Sequence, residues 1–275
     1  QDAPVDPQAD PENWREVDPA RLIVMDTTKG RVLIETAPEF APNHVSRFTT
    51  LMRTGFYDGI IFHRVIDDFM VQGGDPDGTG MGGTGTNIDA EFYIDRGEDL
   101  PVVEVSDRDY NRGGFWHGMP VVTQPSAQLT VLENATVESW ISHCPGVMST
   151  ARSDNPNSAD SQFFMMRRYI NDRGQANTFL DKQYTAWGHV VGGLDVVRSM
   201  NVGTVRETPG FEPDAIVTAK IAADLDEAER PRVWVLRENG PAFAELIDEA
   251  RNEYGDAPDV CEIEIPTIVE DGSQS

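Results

Sequence analysis

Hydrophobic residues along most of the chain occur in short runs that are separated by turn-forming residues. Residues 22–25 and 31–35 are two such runs, and the Thr-Thr-Lys-Gly sequence at 27–30 between them is typical of a β-hairpin. Many short strands with few helical segments predict a closed antiparallel barrel or sandwich rather than alternating strands and helices. Further runs of this kind cover residues 60–62, 69–71, 146–148, 163–166, 186–191 and 216–222.

Two segments have apolar residues at the helical spacing of three and four instead. The first begins at Pro42, since proline favours the first turn of a helix, and it ends before Gly55. The second is shorter. Their apolar positions are Val45, Phe48, Leu51 and Met52 in the first helix and Leu194, Val197 and Met200 in the second.

The helices and most of the strand patterns lie within residues 21–223, which we interpret as the barrel domain. Residues 1–20 are rich in proline and acidic residues and are predicted to be an extended N-terminal leader. Residues 93–143 have a mixed polar composition without a sustained period. We therefore interpret residues 93–143 as an insertion in the barrel.

The C-terminal residues 224–275 form a third region. Residues 232–236 and 261–265 have the pattern of strands, and residues 241–254 between them have an apolar helical face. This strand–helix–strand extension is too small to bury a core by itself. We expect it to dock on the barrel.

The charge of the chain excludes some classes of partner. The sequence has 22 Lys+Arg against 47 Asp+Glu, a formal net charge of −25. Proteins that bind nucleic acids present a basic face to the phosphates, so we expect no nucleic-acid partner. No apolar run approaches the ~20 residues of a transmembrane helix, and we expect no membrane span.

The first residue and the cysteines both favour export from the cytoplasm. The sequence begins at Gln1 without a methionine, and we expect that a signal peptide has been removed and that the protein is periplasmic or secreted. Cys144 and Cys261 are the only cysteines, and their spacing does not fit a zinc site. A disulfide between them would tie the C-terminal extension to the barrel, and two buried free thiols are the alternative.

A glycine-rich run and five scattered histidines raise the questions of a dinucleotide site and of a metal or catalytic site, and the neighbouring residues argue against each. Gly78, Gly80 and Gly83 match a dinucleotide-binding fingerprint, but residues 84–87 after them are poor helix starters, and such a site requires a helix there. The histidines form no metal-binding motif, and a nucleophile elbow is absent. We therefore expect a structural glycine loop, and neither a metal nor a cofactor.

Several runs occur in an order that is much more specific than any one of them. Residues 62–66 (Phe-His-Arg-Val-Ile) and 69–75 (Phe-Met-Val-Gln-Gly-Gly-Asp) are followed later in the chain by residues 161–164 (Ser-Gln-Phe-Phe). Residues 179–181 (Phe-Leu-Asp) then lead into residues 187–190 (Trp-Gly-His-Val). In this order the runs resemble the cyclophilin family of peptidyl-prolyl cis-trans isomerases, in particular its bacterial members.

The resemblance implies a fold and a set of site residues. The fold of the family is mainly β, a closed eight-stranded antiparallel barrel capped by two helices, with the active site in a groove on its outer face. Arg64 matches the catalytic arginine of the family, and Gln72 matches the glutamine near the substrate carbonyl. Tyr184 stands where the best-known members have a pocket histidine. The other matches are Phe69, Met70, Phe164 and Leu180 in the proline pocket and Ala151 and Arg152 at the edge that pairs with the substrate backbone.

The resemblance also implies an activity, which is rotation of X–Pro bonds in proline-containing polypeptide clients. The alternative is a proline-binding or chaperone module with incidental turnover. Phe179 replaces the tryptophan with which many members hold cyclosporin, so we expect weak cyclosporin binding. The insertion begins directly after Phe92, in a segment that flanks the groove in the family, so we expect residues 93–143 to border the groove.

Overall fold

A computed structural model describes residues 5–108, 111–124 and 136–270. Over these residues the chain is mainly antiparallel β structure, in sheets of nine, five and three strands that we call the large, insertion and small sheets. The helices are α1 (Pro42–Arg53), α2 (Leu194–Ser199) and α3 (Pro241–Tyr254). In chain order the strands are β1 (Trp14–Glu16), β2 (Leu22–Thr27), β3 (Gly30–Thr36), β4 (Arg64–Val65), β5 (Met70–Gly73), β6 (Ile94–Arg96), β7 (Val103–Arg108), β8 (Asn111–Trp116), β9 (Met119–Thr123), β10 (Val137–Ile141), β11 (Val147–Thr150), β12 (Phe163–Met166), β13 (Ala186–Gly192), β14 (Gly203–Thr204), β15 (Ile216–Ile221), β16 (Arg232–Leu236) and β17 (Thr267–Glu270).

The large sheet is strongly curled and has the order β14-β4-β5-β12-β11-β13-β3-β2-β15. The sequence predicts a closed barrel of eight strands, whereas the described residues place nine strands in this sheet. The first and last parts of the sheet meet where Ile61, before β4, bridges Ala215, before β15. The strand predicted at 60–62 is wrong in its bounds, because only Ile61 forms a bridge there and the strand is β4. The additional strand is β14, whose two residues are too few to show an alternating pattern in the sequence.

Helices α1 and α2 lie beside the large sheet, where the apolar spacing predicts them. Pro42 is at the first turn of α1, and Phe48 of this helix stacks on Trp187 of β13 with ring centroids 4.3 Å apart. Val197 is the buried residue of α2. These side chains belong to one apolar core with the inner face of the large sheet. Within the described ranges, no helix has the length and apolar character needed to cross a membrane.

The insertion, for which the sequence shows no period, contains the insertion sheet with the order β6-β10-β9-β8-β7. Strands β8 and β9 form a hairpin in which Trp116 pairs with Met119. Gly113, Gly114 and Pro120 lie within these two strands. Glycine and proline are unfavourable in strand interiors, so these residues hide the strand pattern in the sequence.

The C-terminal extension differs from the prediction in its last strand. Strand β16 and helix α3 occur where the sequence predicts them, but residues Val260–Glu262 form a short 3-10 turn and the last strand is β17. The Asp259 carboxylate accepts a hydrogen bond from the Cys261 N–H, and the Glu262 carboxylate accepts one from the Asp259 N–H. This capping box stabilises a turn at a segment whose apolar alternation predicts a strand.

Part of the predicted extended leader is a strand, because β1 pairs with β16 in the small sheet. Arg15 of β1 forms a buried ion pair with Glu35 of β3, with Nη1–Oε1 and Nη2–Oε2 distances of 2.9 and 2.7 Å. Burial raises the pKa of Glu35, and the charge of Arg15 opposes this shift. Arg15 also donates to the carbonyl of His117 in the insertion. The leader therefore contacts both the large sheet and the insertion.

The insertion and the C-terminal extension share a second apolar core. Phe243 of α3 packs edge-to-face against Phe115 of β8, with ring centroids 5.9 Å apart. Cys144 and Cys261 form a disulfide, with their Cα atoms 4.8 Å apart, which confirms the bridge and excludes the free-thiol alternative. The disulfide joins Cys144, shortly before β11, to the 3-10 turn that follows α3.

Candidate active site

The predicted site residues line one cavity of about 220 Å³ on the outer face of the large sheet. They come from β4, β5 and β12, from the residues after β11 and from the turn before β13. The structure therefore brings together every residue to which the resemblance assigns a role. These residues are Arg64, Phe69, Met70, Gln72, Ala151, Arg152, Phe164, Leu180 and Tyr184.

Strand register places the central residues of the cavity side by side. Arg64 of β4 lies opposite Gln72 of β5, and Gln72 lies opposite Phe164 of β12. Residues that are directly opposite in neighbouring strands have side chains on the same face of the sheet. Val71 and Phe163, one position away in their strands, belong to the core on the other face and are fully buried. The alternation of side chains along the strands thus places Arg64, Gln72 and Phe164 on the cavity face of the sheet.

A chain of side-chain hydrogen bonds holds Arg64 in place. Arg64 Nη1 donates to Gln72 Oε1 at 3.2 Å and lies 3.7 Å from the sulfur of Met70. Gln72 Nε2 donates to Gln162 Oε1 at 3.0 Å, and Gln162 Nε2 donates to the Gly82 carbonyl at 2.9 Å. This chain orients both amides, and it leaves the guanidinium at the edge of the cavity in a fixed position.

The guanidinium of Arg64 is half-buried. Burial lowers its pKa, while Glu207 and Tyr184 oppose this shift. The group stays cationic because arginine keeps its charge at any pH at which proteins are folded. A cation that is partly removed from water interacts more strongly with nearby polar groups than an exposed one. Among the residues described, no group of three or more His, Cys, Asp or Glu side chains is placed to hold a metal ion.

The rest of the cavity is mainly apolar. Phe164 is buried and packs edge-to-face against the ring of Tyr184, with centroids 5.6 Å apart. Phe69 stacks on Phe179 with centroids 5.9 Å apart, and Phe179 is 62% exposed. An apolar lining of this kind suits a small hydrophobic ring, since burial of its carbon surface is favourable.

Ala151 and Arg152 form one edge of the cavity, directly after β11. The Ala151 N–H donates to the Gln162 carbonyl at 2.9 Å, which continues the pairing of β11 with β12. Arg152 Nε donates to the Gln183 carbonyl at 2.8 Å, and its guanidinium lies over the ring of Tyr184, 4.6 Å from the centroid. Arg152 thus links this edge to the turn that carries Tyr184.

A second cavity of about 590 Å³ continues the groove past Gln72, Ala151 and Arg152 and reaches the glycine loop. Asp75 organises this loop, because its carboxylate accepts hydrogen bonds from the loop N–H groups, among them that of Thr79 at 2.9 Å. Burial acts to raise the pKa of Asp75, but these N–H groups outweigh it and the pKa is lowered. The glycine run is therefore a structural loop, as the sequence predicts.

Gln162 and Asp181 support residues of the site, although the sequence predicts no role for them. Gln162 orients Gln72, and Asp181 accepts a hydrogen bond from His143 Nδ1 at 2.8 Å. Both residues lie within the motifs that carry the family resemblance, which is the signal that marks them. Their roles are not visible in the sequence because their partners are far from them along the chain.

The described part of the insertion does not border the groove, contrary to the prediction, and residues 109–110 and 125–135 of the insertion lie outside the described residues. Of the residues in 93–143 that the structure describes, none lines either cavity. The insertion instead contacts the turn that carries Leu180 and Tyr184, through hydrogen bonds from Trp140 and Ser142 to Asp181. The difference arises because the insertion sheet packs against the C-terminal extension, and this places it behind the cavity wall.

The curled antiparallel sheet and the arginine beside an apolar cavity define a class of enzyme, and comparisons with known proteins agree on which one. The family described as "Cyclophilin type peptidyl-prolyl cis-trans isomerase/CLD" matches residues 22–221. A probable peptidyl-prolyl cis-trans isomerase of Brucella abortus is 33% identical over 208 residues, 75% of this chain and 85% of the relative. A peptidyl-prolyl cis-trans isomerase of Schizosaccharomyces pombe is 32% identical over 198 residues, 72% of this chain and 96% of the relative.

A solved structure extends the similarity beyond the barrel. The crystal structure of cyclophilin AquaCyp293 from Hirschia baltica has a TM-score of 0.85 and 39% sequence identity, and the match covers 98% of each chain. This coverage includes the insertion and the C-terminal extension. The chain belongs to the cyclophilin-type peptidyl-prolyl cis-trans isomerases, EC 5.2.1.8.

Proposed function

We propose that the protein accelerates rotation of X–Pro bonds in polypeptide clients by placing the guanidinium of Arg64 against the proline nitrogen. One observation carries this proposal: Arg64 stands at the edge of the apolar cavity, with its Nη1 held 3.2 Å from Gln72 Oε1. A proline ring in the cavity would lie beside this cation. Phe69, Phe164 and Leu180 would contact the ring.

The chemistry of the reaction suits these residue types. An X–Pro bond rotates over a barrier of about 18–20 kcal/mol because the amide loses its conjugation as it twists. The reaction needs neither a nucleophile nor a proton transfer. In the twisted state the lone pair of the proline nitrogen becomes free to accept a hydrogen bond. Arg64 would therefore bind the transition state more strongly than either planar isomer, which is the condition for catalysis.

We further propose that the clients are exported polypeptides and that the protein works in the periplasm or outside the cell. The disulfide between Cys144 and Cys261 supports this location. Disulfides persist in oxidising compartments and are rare in the cytoplasm.

An isomerisation assay on an Ala-Pro peptide tests the proposed activity. We expect exchange between cis and trans forms to be faster than the uncatalysed rate, measured by protease-coupled kinetics or by NMR exchange. The alternative, a proline-binding or chaperone module, is favoured by the second cavity, which lengthens the surface open to a polypeptide. Peptide binding with exchange at the uncatalysed rate would support that module and contradict the enzyme.

Cyclosporin should bind weakly, and Phe179→Trp should tighten its binding by up to about tenfold. Phe179 is exposed beside Phe69 at the cavity mouth but has no N–H to donate, whereas an indole would add one hydrogen bond of about 0.5–1.5 kcal/mol. Inhibition of isomerisation by added cyclosporin measures this. Tyr254→Trp, at an exposed position on α3, is the matched control and should change nothing. An unaltered inhibition constant for Phe179→Trp would refute the role given to this position.

A further inference from the structure

One wall of the proline cavity is a turn, residues 180–184, that leads from the 3-10 segment Asn177–Leu180 into β13. We call residues 180–184 the wall turn. Its first and last residues, Leu180 and Tyr184, line the cavity. Asp181 and Lys182 between them contact the insertion, so the wall turn joins the active site to the insertion.

Asp181 is the first connection between the wall turn and the insertion. Its Oδ2 accepts hydrogen bonds from Trp140 Nε1 at 3.0 Å and from Ser142 Oγ at 2.7 Å. Its Oδ1 accepts one from the His143 N–H at 2.8 Å and lies 2.8 Å from His143 Nδ1. Hydrogen bonds to an ionised carboxylate are stronger than those between neutral groups. The end of the insertion therefore holds Asp181 through both of its oxygens.

Lys182 is the second connection, and its backbone is strained. Its φ is +59°, in the left-handed region, which is unfavourable for a residue other than glycine. Its ammonium forms an ion pair with Glu138 of β10. The same ammonium lies over the rings of Tyr93 and Trp140, 5.3 and 5.2 Å from their centroids. A strained conformation persists where its surroundings hold it, and here those surroundings belong to the insertion.

We propose that Asp181 and Lys182 are positioning residues through which the insertion holds the wall turn against the bound proline ring. The proposal rests on the function proposed above for the cavity. Arg64 and Gln72 lie on β4 and β5, which do not depend on the wall turn for their position. A loosened wall turn therefore weakens the contacts that the substrate keeps throughout the reaction, which raises KM while kcat changes little.

The first test replaces Asp181→Asn, which turns one acceptor oxygen into a donor that faces other donors. We expect KM for an Ala-Pro peptide to rise about fivefold and kcat to stay within about twofold, at a temperature well below the melting point of the variant. Asp58→Asn is the matched control, because Asp58 also accepts a backbone hydrogen bond, from Ala219, at a site remote from the cavity. The control should keep the wild-type KM. The proposal would be overturned if KM were unchanged in Asp181→Asn. It would also be overturned if kcat fell about fivefold while KM kept its wild-type value.

The second test compares Lys182→Met with Lys182→Gly. Both variants lose the ion pair and the positive charge over the two rings, but only methionine retains the cost of the left-handed backbone, since glycine adopts it freely. We expect Lys182→Met to raise KM several-fold and Lys182→Gly to raise it less. Lys220→Met, an exposed lysine on β15, is the control for the loss of one positive charge.

The outcomes separate this inference from the proposed function. A wild-type protein without turnover would refute the function itself. If the wild-type protein turns over substrate, two results would refute only the role of the insertion. One is an unchanged KM in Lys182→Met, and the other is a larger rise of KM in Lys182→Gly than in Lys182→Met.

Discussion

Replacing Arg64→Ala is expected to lower kcat/KM for an Ala-Pro peptide at least tenfold, which corresponds to about 1.4 kcal/mol of transition-state stabilisation. The guanidinium of Arg64 is the cation beside Gln72 and Met70 in the cavity, and it is oriented by its hydrogen bond to Gln72. The loss should appear mainly in kcat, because the hydrogen bond to the proline nitrogen forms only as the amide twists. Steady-state kinetics of the purified variant measure this.

Two further variants make the result specific. Arg64→Lys keeps the charge but replaces a rigid planar donor group with a compact ammonium on a flexible stem, so most of the activity should still be lost. Arg251→Ala removes an exposed arginine from α3, away from the cavity, and should retain wild-type kinetics. Wild-type kinetics in Arg64→Ala would show that the cation does not stabilise the twisted amide.

Removing the disulfide by Cys144→Ser together with Cys261→Ser is expected to lower the free energy of unfolding by about 2–4 kcal/mol. The bridge closes a loop between residues that are 117 positions apart, which restricts the unfolded chain more than the folded one. Denaturant unfolding of the wild-type protein and the double variant measures the difference. The double variant is preferred to either single variant because a single change leaves a reactive thiol.

Reduction of the wild-type protein is an independent measurement of the same effect. Added reductant should destabilise the wild-type protein to the level of the double variant and should leave the double variant unaffected. Alkylation of the denatured, unreduced protein, purified from an oxidising compartment, counts its free thiols. If two thiols are alkylated, the bridge does not form in that compartment.

Short runs in a specific order were sufficient for the resemblance to the family, and that resemblance supplied the residues of the cavity. Arg64, Gln72 and Phe164 lie in short runs whose order is specific, and the alternation of a strand decides on which face each side chain lies. The register of β4, β5 and β12 then places these three side chains next to one another. The hairpin of β2 and β3 and the helix at Pro42 also follow from short-range turn and capping signals.

The sequence alone thus determined the mainly β fold class, the family resemblance that assigns the cavity residues and the existence of a C-terminal extension, because each follows from short runs of residues. Only the tertiary structure decided where the insertion packs. Asp181 meets Trp140, and Arg15 meets Glu35, through contacts between segments that are far apart along the chain. Such contacts depend on how separately formed sheets pack together, and a local pattern carries no information about that packing. For this reason the described part of the insertion, expected at the groove itself, packs behind the wall turn.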